Sequence, residues 1–272
     1  MSLRRTGGSA GTERLVLEKL SGGYGGRIVF EDISLTVRAG EILVLAGPNG
    51  SGKTTLLKTI GGLLKPASGR VLFDGREQRE MTKPEQAAAS AFLFQNTPLV
   101  WPFTVRETVA QGRFSRRGWF GGETAEDREA AAAAMEAAGL SDCGDRRVTE
   151  LSGGEQQRVL IARAIAQDAG VLLLDEAVNN LDPRYQVLIM EMIRAMAGRG
   201  AAALISLHDL NLAALYGDRA LLLSRGRAAA LGSPPEVFSA ETLREVFGLS
   251  MGVYAHPADS RIRIVLPPLS GE

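Results

Sequence analysis

Between Gly47 and Thr54 the chain reads GPNGSGKT, a glycine-rich run closed by a lysine and a hydroxyl residue. The spacing fits G-x-x-x-x-G-K-[ST], in which Gly47, Gly50 and Gly52 let backbone N–H groups turn inward as a nest for anions. A helix starting behind such a loop adds partial positive charge. Lys53 can then reach the β- and γ-phosphates of a nucleoside triphosphate, and the Thr54 hydroxyl can ligate Mg²⁺. A glycine-rich turn can match by chance, but this one follows the apolar run EILVLA and precedes a helical stretch, which is the setting the chemistry requires. Asp175 and Glu176 end a second apolar run, VLLLDE. Acidic residues at the carboxyl end of a buried parallel strand face the ligand crevice of a doubly wound sheet. Asp175 can there support Mg²⁺, and Glu176 can polarise an attacking water. Alone, the pair reads equally well as a solvated strand end; the phosphate loop favours the chemical reading.

LSGGEQQR spans Leu151–Arg158. Ser152 and Glu155 have the spacing of a capping box ahead of an apolar helix. A cap alone does not call for Gly153 and Gly154 at consecutive helix-start positions, where each lowers helix stability. Glycines there make sense if a ligand must approach the backbone closely, so a second phosphate-binding helix start is the sharper reading. Gln95 and His208 each stand just past an apolar run, and Tyr24 sits in SGGYGG. Taken singly, these three are ordinary polar strand ends and a loop aromatic.

The elements that must position these residues follow from periodicity. Glu13–Leu20 and Ile28–Val37 alternate and read as half-buried strands, whereas Glu41–Ala46, Ala91–Phe94, Val171–Leu174 and Ala202–Leu207 are continuous apolar runs, as in strands buried on both faces. Gly69–Asp74 is a further short strand. Helices are expected over Thr54–Leu64, Val105–Phe114, Thr124–Ala138, Val159–Ala166 and Pro183–Ala197, a hairpin over Ala220–Leu231, and two short helices within Pro234–Phe247. The resulting fold is α/β with a mainly parallel sheet, an antiparallel β portion and an inserted helical subdomain over about 103–166. Residues 1–12 read as a flexible tail, 13–250 as the nucleotide-binding domain, and 251–272, which lack clear periodicity, as a C-terminal tail.

Composition narrows the partners. Lys plus Arg and Asp plus Glu both total 31 in 272 residues, so there is no basic excess of the kind nucleic-acid binding needs. A single cysteine, Cys143, leaves no intrachain disulfide and fits a reducing compartment. No apolar run approaches the roughly 20 residues that cross a bilayer, and MSLRRTGGSAGTER lacks the apolar stretch of a secretory signal.

The order Tyr24, GPNGSGKT, Gln95, LSGGE, VLLLDE, NNLD, His208 resembles the ATP-binding subunits of ABC transporters, over about Glu13 to Phe247. That resemblance implies roles. Tyr24 would stack on adenine, and Gly47, Pro48, Asn49, Gly50, Ser51, Gly52, Lys53, Thr54 and Thr55 would hold the phosphates. Mg²⁺ would lie among Thr54, Gln95 and Asp175. Glu176 would be the catalytic base, His208 would contact the γ-phosphate, and Gln95 would sense the attacking water. Asp182 would sit at a dimer interface, and Ser152, Gly153, Gly154 and Glu155 would face ATP bound by a second copy of the chain. Ala177 departs from the proline usual after the catalytic glutamate, and Val178-Asn179-Asn180 is an unusual lead into Leu181-Asp182; neither removes a chemical group. PFTVRETVAQGR (Pro102–Arg113) and GSPPEVFSAETLREVFG (Gly232–Gly248) are similar to importers of iron chelates, haem or cobalamin. The implied partners are transmembrane permease subunits and, indirectly, a substrate-binding protein, with the chain peripheral at the cytoplasmic face of the membrane. The competing expectation is a soluble ABC-type ATPase not coupled to transport; such proteins usually carry paired cassettes or long coiled-coil inserts, which this chain lacks.

Overall fold

A computed structural model of the chain describes residues 11–94, 97–116, 122–178 and 181–267. The chain opens with the antiparallel pair β1 (Glu13–Tyr24) and β2 (Arg27–Arg38). Alternation sends Leu15, Leu17 and Leu20 of β1 and Phe30, Ile33 and Val37 of β2 inward. All five residues of β3 (Ile42–Ala46) are buried. The phosphate loop follows, and α1 (Lys53–Ile60) begins directly behind it. This helix stops four residues short of the expected Leu64, because Gly61 caps it and Gly62 takes a φ of 73°.

β4 (Ser68–Phe73) and β5 (Arg76–Glu77) complete a four-stranded antiparallel sheet in the order β2-β1-β4-β5. Next come α2 (Lys83–Ala89) and β6 (Ser90–Leu93). Among the described residues 97–166 is helical and turn structure without a strand: α3 (Val105–Ala110), tightening into 3₁₀ turns through Arg116, then α4 (Ala125–Ala137) and α5 (Gly153–Ala166). β7 (Val171–Asp175), α6 (Pro183–Gly198), β8 (Ala202–Ser206), α7 (Leu210–Tyr216) and β9 (Arg219–Ser224) resume the β/α alternation. β10 (Arg227–Gly232) pairs antiparallel with β9, and α8 (Pro234–Val237) and α9 (Ala240–Phe247) follow.

The six-stranded sheet has the order β10-β9-β3-β8-β7-β6, parallel except at β10. One face packs on α1 and the antiparallel sheet through Leu43, Leu45, Leu173, Leu204, Phe30, Leu56 and Leu57. The other packs on α5, α6 and α7 through Val44, Leu172, Leu174, Ile161, Ile193 and Ala213. Burial on both faces is why these strands read as unbroken apolar runs.

Several elements are not expected from the sequence. α2 is held by a capping box between Thr82 and Glu85. α7 is started by Asp209, which accepts from the N–H groups of Asn211 (2.8 Å) and Leu212 (3.1 Å). Residues 251–267, expected as part of a tail, instead contain a hairpin of β11 (Gly252–His256) and β12 (Asp259–Leu266). Asn211 clips that hairpin to α7: its amide donates to the Val265 carbonyl at 3.2 Å and accepts from the Val265 N–H at 2.7 Å.

Candidate functional site

The carboxyl ends of β3, β7 and β8 lie side by side, Leu45 beside Ser206 and Ser206 beside Asp175. Everything that follows those strands therefore opens onto one end of the sheet. A cleft of about 450 Å³ there is lined by Val29, Asn49, Gly50, Gly52, Lys53, Thr54, Thr55, Glu176 and His208. The structure thus joins the phosphate loop, the acidic pair and the histidine across more than 150 positions of sequence.

The loop's shape has identifiable causes. Gly47 has a φ of 142°, and a Cβ on it would meet the Leu223 carbonyl oxygen at 2.1 Å, so only glycine fits. The β9–β10 turn braces the loop through Gly226 N–H donating to the Ser51 carbonyl at 3.1 Å. Lys53 is buried and donates to the carbonyls of Gly47 (2.9 Å) and Pro48 (3.1 Å). Burial lowers its pKa, against the opposing charges of Glu176 and Asp175. Two of the ammonium's three donors face weak neutral acceptors, an arrangement that an anion would improve.

Asp175 shows what would fit beside it. It is buried, and burial raises the pKa of its carboxyl; the Thr54 hydroxyl opposes that rise and the Glu176 charge adds to it. Although Thr54 is close enough to act on it, neither carboxylate oxygen makes a hydrogen bond of normal geometry among the described residues. Ser51 Oγ and Ser206 Oγ are also buried without a partner among the described residues. Orphaned polar atoms are costly inside a protein. Here several of them gather at one sheet end, with a carboxylate and hydroxyls as oxygen donors, a set suited to a hard divalent cation such as Mg²⁺.

Glu176 and His208 meet directly, Nε2 to Oε1 at 2.6 Å, with Glu176 nearly buried and His208 partly exposed. Glu176 also has a φ of 52°, in the left-handed region that a non-glycine residue occupies only where its surroundings fix it. Tyr24 is 48% exposed at the tip of the β1–β2 hairpin and does not line the cleft. Gln95 and the Asn179-Asn180 pair lie outside the described residues.

The LSGGE segment lies away from this cleft. Ser152 caps α5, its N–H and hydroxyl donating to Glu155 Oε2 at 2.9 and 2.7 Å, which holds the Glu155 carboxyl below its ordinary range. Gly153 and Gly154 are exposed, and a Cβ on Gly153 would meet nothing within 4 Å. Among the described residues, neither crowding nor an unusual φ accounts for glycine there. Asp182 caps α6, accepting from the Arg184 N–H at 2.9 Å, and is exposed. Two residues near the site go unmarked in the sequence. Val29 is one apolar position among several in an alternating strand, and Gln157 is one polar residue in a run of them.

Comparison with known proteins settles the family. The ABC transporter family matches residues 30–179. The hemin import ATP-binding protein HmuV of Streptomyces coelicolor is 43% identical over 242 residues, covering 89% of this chain and 85% of that protein. The chain belongs to the ABC transporter family. The HmuV protein of Pseudomonas aeruginosa is 44% identical over 248 residues, covering 89% and 96%. Among solved structures, an ATP-binding cassette of an ABC transporter superposes with a TM-score of 0.76 at 26% identity, covering 87% of this chain and 98% of that one. An ATP-binding subunit of an ABC transporter gives 0.74 at 27%, covering 86% and 93%. The ABC domain binds ATP and is an ATPase, and its fold is the α/β arrangement expected from the sequence. Among the described residues no helix is long and apolar enough to cross a membrane.

Proposed function

We propose that this ABC ATPase powers import of haem through a membrane permease, and that two copies of it share two ATP molecules. The haem assignment rests on relatives that are hemin import proteins along nearly their whole length. It narrows the broader expectation of iron chelate, haem or cobalamin. The chain would sit at the cytoplasmic face of the membrane, held by the permease, with a substrate-binding protein delivering cargo on the far side.

The observation that carries the two-copy reading is a separation. The cleft gathers Lys53, Thr54, Glu176 and His208 beside Asp175, while the exposed glycines of Ser152–Gly154 do not line it. In this reading the exposed helix start takes a phosphate that is held by the other chain. Lys53 then holds the β- and γ-phosphates and Tyr24 stacks on the base. Thr54, Asp175 and Gln95 would hold Mg²⁺, which when bound neutralises charge on the phosphate oxygens. Glu176 draws the proton from water as the water oxygen bonds to the γ-phosphorus. The bond from that phosphorus to the bridging oxygen breaks, its electron pair leaving with ADP. His208, donating from Nε2, keeps the Glu176 carboxylate aimed into the cleft and reaches the γ-phosphate from the same side.

Isolation of the complex from membranes tests the assignment. A permease should co-purify, ATP hydrolysis should rise with haemin and its binding protein, and membrane association should vanish in cells lacking the permease. Hydrolysis indifferent to haemin, or persistent binding to bare lipid, would contradict it.

A further inference from the structure

Gln157 lies on α5, five residues beyond Ser152, and its amide nitrogen donates to the Ala177 carbonyl at 2.8 Å. Ala177 is the residue directly behind Glu176. Because Glu176 sits in the left-handed region, the peptides after it must be held from outside. Two glutamines do so: Gln157 on the Ala177 carbonyl, and Gln186 of α6 on the Val178 carbonyl at 3.0 Å. Gln156 anchors the same stretch of α5 on its other side, donating to the carbonyls of Val148 (3.0 Å) and Leu151 (3.2 Å) just ahead of Ser152. From Arg158 to Ile161 the helix is buried, so its exposed start and Gln157 move as one body.

We infer that Gln157 is a positioning residue that ties the helix start Ser152–Gly154 to the peptide behind Glu176, linking what binds at that helix start to the aim of Glu176 in the same chain. The link rests on the shared-site reading proposed above. Under it, Ser152–Gly154 meets ATP held by the partner, whereas Glu176 serves the chain's own ATP. A shift of α5 as it closes on the partner's nucleotide is delivered through one hydrogen bond to the backbone that sets the catalytic geometry. Each site then reports its occupancy to the other through the body of a single chain. Gln186 holds the adjoining peptide from α6 and gives the Ala177 carbonyl a fixed point to move against.

A carbonyl only accepts, so the side chain at 157 must donate, and that requirement supplies the test. Gln157→Glu keeps the size and loses the donor; Gln157→Leu loses it without adding charge; Gln157→Lys restores a donor. ATPase rates across ATP concentration, KM and thermal midpoints are measured for the full chain reconstituted with its permease. Glu and Leu should lower kcat by about tenfold, the scale expected for a misaimed catalytic group. They should leave KM and the thermal midpoint near those of the parent, and reduce the sigmoidicity of the ATP dependence. Lys should recover most of kcat. Parental kcat in the Glu and Leu variants, a loss that tracks a fallen thermal midpoint, or no recovery with Lys would overturn the inference. Failure of the underlying reading is distinguishable: if Glu176→Gln does not dimerise on ATP, the shared site itself is wrong. If it dimerises and the Gln157 variants turn over as the parent does, only the link is wrong.

Discussion

Lys53 and Asp175 carry opposite charge a short distance apart, and each is buried at a cost to its charged form. For Lys53 the proposed compensation is a phosphate. Lys53→Ala removes the charge-assisted contacts, worth about 2–3 kcal/mol, so ATP affinity should fall roughly a hundredfold in a direct titration. Unchanged affinity would contradict its placement on the phosphates. Asp175 gives a pH-dependent expectation. Its folded pKa is raised, so folding favours the protonated carboxyl; the stability it contributes is complete below the ordinary aspartate value and is lost as pH rises through the folded value. Asp175→Asn stays neutral throughout. In EDTA and without nucleotide it should melt higher than the parent near neutral pH, and the gap should close as pH falls toward about 4. Adding Mg²⁺ and ATP should reverse the order, since the parent, with its Mg²⁺ carboxylate, gains more from binding. A variant that melts lower at neutral pH without metal would show that the orphaned carboxylate is satisfied in some other way.

At the scale of elements, the start of α5 separates a structural role from the one proposed between chains. Gly153 has helical surroundings and open space around its missing Cβ. Gly153→Ala should therefore stabilise the isolated chain slightly, by about 0.5 kcal/mol in chemical denaturation, while lowering its ATPase rate. A stabilised variant with full activity would remove the case for a ligand at that helix start. The same scale shows what was legible beforehand. The parallel strands could be read because burial on both faces leaves runs such as ILVLA and VLLL with no polar interruption. α7 could not, because LNLAALY follows an apolar strand after only Leu207, His208 and Asp209, and what starts it is a side-chain cap rather than a periodicity. The C-terminal hairpin is short, and the amide of Asn211, 54 residues away in sequence, helps fix it to the domain. α2 depends on one capping box over seven residues. Local hydrogen bonds of this kind leave little trace in a hydrophobic pattern.

For the whole molecule, the order of motifs along the chain was visible from the start, but their common location was not. β3 and β7 are 125 residues or more apart in sequence and are brought to one sheet end only by the order β3-β8-β7. On the proposed pairing the GPNGSGKT loop is half a site. It meets Glu176 and His208 of its own chain, and the exposed Ser152–Gly154 is the candidate to close it from a second copy. On that proposed pairing, a chain with every catalytic group present turns over poorly alone.

Removal of the base is the most direct test of the pairing. Glu176→Gln keeps the size of the side chain and abolishes its ability to take a proton, so bound ATP should persist and hold two chains together. Size-exclusion chromatography with light scattering, with and without ATP and Mg²⁺, should show monomer converting to dimer only when nucleotide is present. A Glu176→Gln chain that binds ATP and yet stays monomeric at saturating nucleotide would contradict the shared site.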